Sequence, residues 1–158
     1  MPRAKKPAPA SQALIDYEQV LDTGVCVPAI RAEVNAWLAS GDYPGVTETT
    51  RTLLHHWFQT DHRLRGGRTF AYHRSQRLAV ETLVYLYEVA GISSQQQMFE
   101  KYAQAGQHPR LAADDPYPRF AVKMATGSGK TKVMALAIAW QYFNAVCESA
   151  ARSRPRSW

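Results

Sequence analysis

Cysteine and long apolar runs are both scarce in this chain. Its 158 residues include only two cysteines, Cys26 and Cys147, which lie too far apart in sequence for a metal-binding or redox motif. This scarcity excludes a disulfide-stapled secreted domain and is typical of proteins from a reducing compartment. The longest unbroken apolar run, Val133 to Trp140, has 8 residues. A membrane-spanning helix needs about 20, so this run is too short to be one.

The first residues lack the apolar core of a signal peptide. Met1 to Gln12 is instead rich in proline, alanine and basic residues. A secretory signal needs an apolar stretch after its positively charged start. Together with the cysteine usage, this predicts a cytoplasmic protein. The segment 1–11 is expected to be a disordered basic tail.

The body of the chain has no excess of charge of either sign. The formal net charge is +6, yet residues 12–148 hold 13 basic and 13 acidic residues, so the excess lies in the two tails. One basic cluster interrupts this balance without an acidic residue between its members: Arg63, Arg65, Arg68, Arg74 and Arg77. Such a cluster is suited to the phosphates of DNA or ATP. It is also typical of a solvated surface, and the sequence leaves both interpretations open.

One glycine-rich segment carries a specific chemical pattern. It reads Met124-Ala125-Thr126-Gly127-Ser128-Gly129-Lys130-Thr131. A polyphosphate needs several converging backbone N–H donors, and glycines permit the required sharp turn because they tolerate positive φ. In such a loop Lys130 places a cation near the β- and γ-phosphates, and the Thr131 hydroxyl is a ligand for Mg²⁺. Ala125 to Thr131 is therefore predicted to bind ATP and Mg²⁺. A flexible Gly/Ser turn is the alternative.

The flanks of this loop favour a strand–loop–helix unit. Arg119 to Met124 predicts a short strand, and Lys130 to Cys147 predicts a helix because it contains no glycine or proline. This order is the usual setting of a phosphate-binding loop. The helix is apolar nearly all round, which predicts burial against a multistranded parallel sheet. The predicted fold class is α/β: an incomplete P-loop NTPase (RecA-like) domain, mostly helical, with one strand–P-loop–helix unit.

The loop departs from the general pattern at Met124, where that pattern has glycine. The resulting Ala-Thr-Gly-Ser-Gly-Lys-Thr form resembles the first motor motif of superfamily 2 helicases and translocases. With the preceding methionine it looks most like the motor subunits of type I and type III restriction enzymes and their relatives with a helicase/UvrB-like N-terminal domain. The resemblance implies ATP-dependent DNA translocation or unwinding. It also implies DNA as a partner and, for the complete parent protein, a methyltransferase or specificity subunit.

A second segment supports this resemblance. Between Arg68 and Gly91, apolar residues recur at helical spacing from Leu78 to Ala90, which predicts a helix. The aromatic pair Phe70 and Tyr72 precedes Gln76 near the start of this segment. In superfamily 2 motors a glutamine upstream of the loop reads adenine. An amide can accept from the exocyclic amine and donate to a ring nitrogen, while a neighbouring aromatic stacks on the base. Gln76 lies 54 residues before Lys130, farther than is usual in DEAD-box proteins. A solvated helix face is the alternative for Gln76.

The catalytic acid of such a motor is absent. A motor needs an acidic strand end, usually Asp-Glu-x-His, to hold Mg²⁺ and polarise water. No Asp-Glu pair occurs in the 158 residues, and a second motor lobe is also missing. The chain alone is therefore expected to be an inactive N-terminal fragment. Its Arg/Ser-rich tail from Glu148 to Trp158 is unsuited to a buried strand, which predicts a truncated or frameshifted reading frame with its break near residues 148–151.

Two other function classes stay open. One is another P-loop enzyme, such as a phosphotransferase, and the other is a helical interaction module or decayed gene product without catalysis.

Short helices are predicted over Pro28–Ser40, Thr47–His62 and Ser94–Ala105, the last as an insertion. His55, His56 and His62 lack the spacing of a metal site. The predicted organisation is a basic tail (1–11), a helical region (12–66), the start of a RecA-like domain (67–147) and a non-native-looking tail (148–158).

Overall fold

The computed structural model describes residues 26–103 and 120–153. These residues form a helix-rich structure with one small antiparallel sheet. The elements in chain order are α1 (Val27–Ala39), α2 (Glu48–Gln59), β1 (His62–Arg63), β2 (Thr69–Phe70), α3 (Arg74–Val84), a π-helical turn (Tyr85–Val89), α4 (Gln95–Tyr102) and α5 (Lys130–Ser153). The expectations for residues 1–25, for Arg119 and for residues 154–158 of the tail lie outside the described residues.

Local capping signals explain where the predicted helices begin. Pro28 stands in the first turn of α1. The side chains of Thr47 and Ser94 accept backbone N–H groups at the starts of α2 and α4, which satisfies donors that the helix itself leaves free. α2 ends at Gln59, before the predicted end at His62. The cause is that Thr60 turns to an extended conformation and His62 enters β1.

The helices share one apolar core. Val34 of α1, Leu54 of α2 and Val80 of α3 are almost fully buried, and Trp140 of α5 joins them. The Trp37 and Tyr85 rings meet at a centroid distance of 5.4 Å across α1 and the π-helical turn. Contacts therefore cross the predicted boundary at residues 66–67. The helical region packs as one unit with α5, the helix that follows the predicted phosphate-binding segment Ala125–Thr131, which we call the phosphate loop.

The predicted strand before the phosphate loop is not formed. Residues 120–124 have no regular secondary structure. A strand is stabilised by backbone hydrogen bonds to a neighbour. Within 26–103 and 120–153 the only strands are β1 and β2, which pair with each other. The strand prediction was therefore wrong for residues 120–124. No other strand lies beside this segment in the described ranges to accept its backbone hydrogen bonds.

Helix α5 is longer and less buried than the sequence predicts. It extends to Ser153 instead of ending near Cys147. Its inner face is buried against α2 and α3, but the opposite face is open. We call this open face the outer stripe; it consists of Met134, Ile138, Tyr142 and Val146, whose exposed fractions are 63%, 68%, 62% and 50%. The prediction of burial on all sides was wrong because no sheet covers this face in the described residues.

Candidate nucleotide site at the phosphate loop

The glycine-rich segment forms a tight turn that leads directly into α5. Gly127 and Gly129 have φ angles of 78° and 80°, in the left-handed region that favours glycine. The Ser128 backbone N–H donates to the Ala125 carbonyl oxygen at 3.3 Å, and the Ser128 hydroxyl donates to the same oxygen at 2.7 Å. The two glycines thus adopt the conformation that a phosphate-binding turn needs.

The two reactive side chains of the segment stand at the start of α5. Lys130 Nζ donates to the Ala125 carbonyl oxygen at 3.1 Å, so the lysine bonds to the loop's own backbone. Both Lys130 and Thr131 are exposed. A phosphate oxygen can replace the carbonyl oxygen as acceptor, because its negative charge attracts the ammonium group more strongly than a neutral carbonyl does. The free N–H groups and dipole of a 24-residue helix favour the same anion.

Gln76 lies against this loop. Its Nε2 donates to the Ser128 carbonyl oxygen at 2.9 Å, a contact that joins residues 52 positions apart. Its Oε1 accepts the backbone N–H of His73 at 3.0 Å, as part of the capping box of α3. Only 8% of Gln76 is exposed. The interpretation of Gln76 as a solvated surface residue is therefore wrong, and its side chain links the start of α3 to the phosphate loop.

The Gln76 amide also lies where a side chain at position 129 would stand. A Cβ added at Gly129 would overlap Gln76 Nε2, whereas a Cβ added at Gly127 would meet nothing within 4 Å. Both glycines have a positive φ, but only Gly129 also has the Gln76 amide in the space that a Cβ would occupy. The sequence pattern predicted the positive φ angles but did not indicate the approach of Gln76.

The aromatic side chains near Gln76 form a packed group. The Tyr72 ring meets the Phe70 ring at 4.9 Å and the Phe58 ring at 5.6 Å, both nearly edge-to-face. Lys132 Nζ lies 4.4 Å from the Phe70 ring centroid and 6.0 Å from that of Tyr72. Tyr72, Gln76 and the loop thus lie in one region. Reading adenine with Gln76 would require its amide to leave Ser128 and His73.

Lys132 was not among the residues that the sequence suggested. It follows the motif lysine by two positions and carries no motif signal of its own. Its ammonium group over the Phe70 ring is a cation–π contact, worth about 0.5–1 kcal/mol at an exposed site. Through this contact the β1–β2 hairpin is attached to the first turn of the phosphate-loop helix.

An ion pair between a half-exposed arginine and a buried glutamate fixes α3, the helix that carries Gln76. Arg77 Nε lies 2.8 Å from Glu81 Oε1, and Glu81 is 2% exposed. The Tyr43 hydroxyl donates to the same carboxylate oxygen at 2.8 Å. Burial, together with the bond to Glu81, raises the pKa of Tyr43 to about 12. Arg77 therefore differs from the rest of the basic cluster, because it anchors α3 to the turn between α1 and α2.

A second polar group joins α5 to α2. Glu88, in the π-helical turn, accepts the Thr47 backbone N–H at 2.8 Å through Oε2. Its Oε1 accepts the Trp140 indole N–H at 2.7 Å and the Thr50 hydroxyl at 2.5 Å. A carboxylate at the N-terminus of α2 also complements the helix dipole. No sequence pattern indicates this group, because its members are distant in the chain.

Other candidate features do not converge on a site. His55 Nε2 lies 2.8 Å from Asp42 Oδ1, and the His56 and His62 rings meet edge-to-face. No group of three or more metal-ligating side chains is found in the part of the chain that the structure describes. A hollow of about 280 Å³ borders Trp140 and Phe120, away from the phosphate loop. Within the same ranges, no helix has both the length and the apolarity of a membrane span.

Comparisons of this chain with protein-family models, curated proteins and solved structures found no match. The resemblance to superfamily 2 motors therefore rests on the motif residues themselves.

Proposed function

We propose that this chain is the N-terminal part of a cytoplasmic, ATP-dependent DNA helicase or translocase, similar to the motor subunits of type III restriction enzymes. The observation that carries the proposal is the contact of Gln76 with Ser128 and Gly129. A phosphate-loop pattern by itself also fits a flexible turn. A buried glutamine from a distant segment, packed on the second glycine, does not fit that simpler interpretation.

The residues at the loop suit a bound ATP·Mg²⁺. Lys130 is exposed and can turn from the Ala125 carbonyl to the β- and γ-phosphates, and Thr131 offers its hydroxyl to the metal. Gly127 leaves open space where a side chain would stand. Mg²⁺, when bound, supplies positive charge that offsets the negative charge of the phosphates. In this assignment Gln76 holds the loop and reaches adenine only by exchanging its present partners.

Binding is proposed here, and turnover is not. Phosphoryl transfer to water needs an acidic group that holds the metal and orients the nucleophile. The sequence contains no Asp-Glu pair that could serve in that way. We therefore expect the chain to bind ATP weakly and to release no phosphate above background.

Titration of the full chain with a fluorescent ATP analogue and Mg²⁺ tests this function. We expect weak, saturable binding and a loss of about tenfold or more in Lys130→Ala, because the substitution removes a charge-assisted contact worth about 1.5–3 kcal/mol. Arg31→Ala is the matched control, since Arg31 is an exposed cation on α1, away from the loop. Equal affinity of the wild type and Lys130→Ala would refute the proposal.

A second candidate function is a non-enzymatic interaction module. The outer stripe of α5 favours it, because four large apolar side chains at four-residue spacing remain exposed. Exposed apolar patches mark interaction surfaces. The two functions separate in the nucleotide titration, since an interaction module has no reason to distinguish Lys130→Ala from Arg31→Ala.

A further inference from the structure

Three arginines lie on the β1–β2 hairpin and a fourth stands at the start of α3. Together they form what we call the arginine surface: Arg63, Arg65, Arg68 and Arg74. All are exposed. None forms an ion pair with another described residue, whereas Arg51 and Arg77 both do. The sequence has no acidic residue from His62 to Val80, so nothing in this stretch offsets the positive charge.

The hairpin is held in a fixed position on its other face. His62 pairs with Phe70 and Arg63 with Thr69 in the antiparallel register. The His62 and Phe70 rings both contact Tyr72, at 6.3 Å and 4.9 Å. Because side chains alternate along a strand, Arg63 lies on the face away from this aromatic group. Packing of one face thus leaves Arg63 exposed on the other.

The turn of the hairpin is compact and open to solvent. The backbone N–H of Leu64 donates to the Arg68 carbonyl oxygen at 2.8 Å. The backbone N–H of Gly67 donates to the Leu64 carbonyl oxygen at 3.0 Å. Gly66 and Gly67 have φ angles of 96° and 79°, and no atom lies within 4 Å of an added Cβ at either position. Arg65 and Arg68 therefore flank a tight turn with free space around it.

The chemistry of this surface suits a chain of phosphates. Guanidinium groups match phosphate oxygens in a bidentate geometry, and three of them on the hairpin with a fourth at the start of α3 can contact several phosphates of one chain. The Phe70 and Tyr72 rings pack against each other and against Lys132. The faces of these two rings are therefore not available for nucleic-acid bases to stack on. Contacts to phosphates alone position a nucleic acid without reading its sequence.

We propose that the arginine surface binds the phosphodiester backbone of a nucleic acid independently of sequence. The Lys132–Phe70 contact attaches this surface to the start of the phosphate-loop helix. The inference extends the proposed motor function by giving the nucleic acid a place beside the nucleotide site. The binding itself needs no ATP, and it can be measured separately.

Fluorescence anisotropy of a labelled single-stranded oligonucleotide, titrated with the full chain at several salt concentrations, tests the inference. The variant is R63S/R65S/R68S. Each phosphate contact contributes about 0.7 to the slope of log affinity against log salt for single strands, so the slope should weaken by about 2. Oligonucleotides of different sequence should bind the wild type alike. A difference of tenfold or more between sequences would overturn the sequence independence.

The matched control removes the same number of charges from the basic N-terminal tail, as R3S/K5S/K6S. We expect it to keep most of the salt slope. Loss of the slope in the tail variant, with the slope retained in R63S/R65S/R68S, would overturn the inference. Should the triple variant fail to fold, R65S at the turn gives the same test with an expected change of about 0.7.

The nucleotide titration separates this inference from the proposed function. Hairpin-dependent binding of the oligonucleotide without any ATP binding would refute the proposed function alone. If the chain binds ATP but shows no measurable binding of the oligonucleotide, only the inference about the arginine surface is refuted. If R63S/R65S/R68S no longer binds the ATP analogue but still binds the oligonucleotide as the wild type does, the arginines contact the nucleotide instead. The inference is then wrong.

Discussion

Gln76 Nε2 donates to the Ser128 carbonyl oxygen at 2.9 Å, and this single bond joins the start of α3 to the phosphate loop. The Gln76 side chain is held at its other end by the His73 backbone N–H. A buried amide with both ends bonded is rigid, because releasing either end leaves an unpaired polar group at a cost of about 1–3 kcal/mol. The loop conformation therefore depends on α3 as well as on its own glycines.

Gly129→Ala should weaken ATP-analogue binding much more than Gly127→Ala. Both substitutions impose a left-handed conformation on alanine, which costs about 1–2 kcal/mol. Only the Cβ at position 129 overlaps the Gln76 amide. The analogue titration measures both variants. Adding Gln76→Ala should restore part of the loss in Gly129→Ala and none in Gly127→Ala. Equal losses in the two single variants would contradict the close approach.

Gln76→Glu tests whether the amide holds the loop or reads the base. A carboxylate still accepts from His73 but cannot donate to the Ser128 carbonyl oxygen. We expect a loss of roughly tenfold or more for ATP, and a similar loss for a triphosphate whose base lacks the exocyclic amine. Competition against the fluorescent analogue gives both affinities. A loss confined to ATP would show that Gln76 turns to the adenine when nucleotide binds.

The helix starts and the loop conformation were predictable because their signals are local. Pro28, Thr47 and Ser94 each fix a helix start through their own backbone or side chain. The β1–β2 hairpin was missed, since two-residue strands among arginines and glycines carry no periodic signal. The opposite error occurred at residues 120–124, where local residue types favoured a strand but pairing depends on a distant partner. The Glu88 group has no local signal either.

Tyr43→Phe should destabilise the chain at neutral pH, and its effect should shrink in alkali. The substitution removes a hydrogen bond to the buried Glu81 carboxylate, worth about 1.5–3 kcal/mol. Burial and the bond to Glu81 raise the folded pKa of Tyr43 to about 12, above the usual 10.0 of a tyrosine. Its stabilisation is therefore complete below pH 10 and is lost as the pH rises through 12.

Urea unfolding of the wild type and Tyr43→Phe at pH 7, about 10 and about 11 measures this difference. Tyr87→Phe is a suitable control, because Tyr87 is an exposed tyrosine. The free energies of unfolding of wild type and Tyr43→Phe should converge as the pH rises. A gap that stays constant up to pH 11 would mean that the Tyr43 proton contributes nothing to stability.

Trp140→Phe should lower the free energy of unfolding by about 1–3 kcal/mol, beyond what the smaller ring explains. The variant keeps an aromatic ring but leaves the Glu88 carboxylate without its indole donor at 2.7 Å. Glu88→Gln should cost less in the Trp140→Phe background than in the wild type, because the two residues share one bond. Glu100→Gln on α4 is the exposed control. Additive effects of Trp140→Phe and Glu88→Gln would contradict this coupling.

The outer stripe of α5 should drive self-association of the chain at high concentration. Ile138 and Tyr142 are 68% and 62% exposed and lie one helical turn apart. Because they contact little of the core, I138E/Y142E should leave the thermal unfolding midpoint nearly unchanged while reducing association. Leu136→Glu, on the buried face of the same helix, should instead unfold the chain, since a charge would enter the core. Sedimentation velocity over a range of concentrations measures the association. If the wild type sediments as a monomer at every concentration, as I138E/Y142E should, the outer stripe does not mediate self-association. The observation that favours an interaction module would then lose its weight.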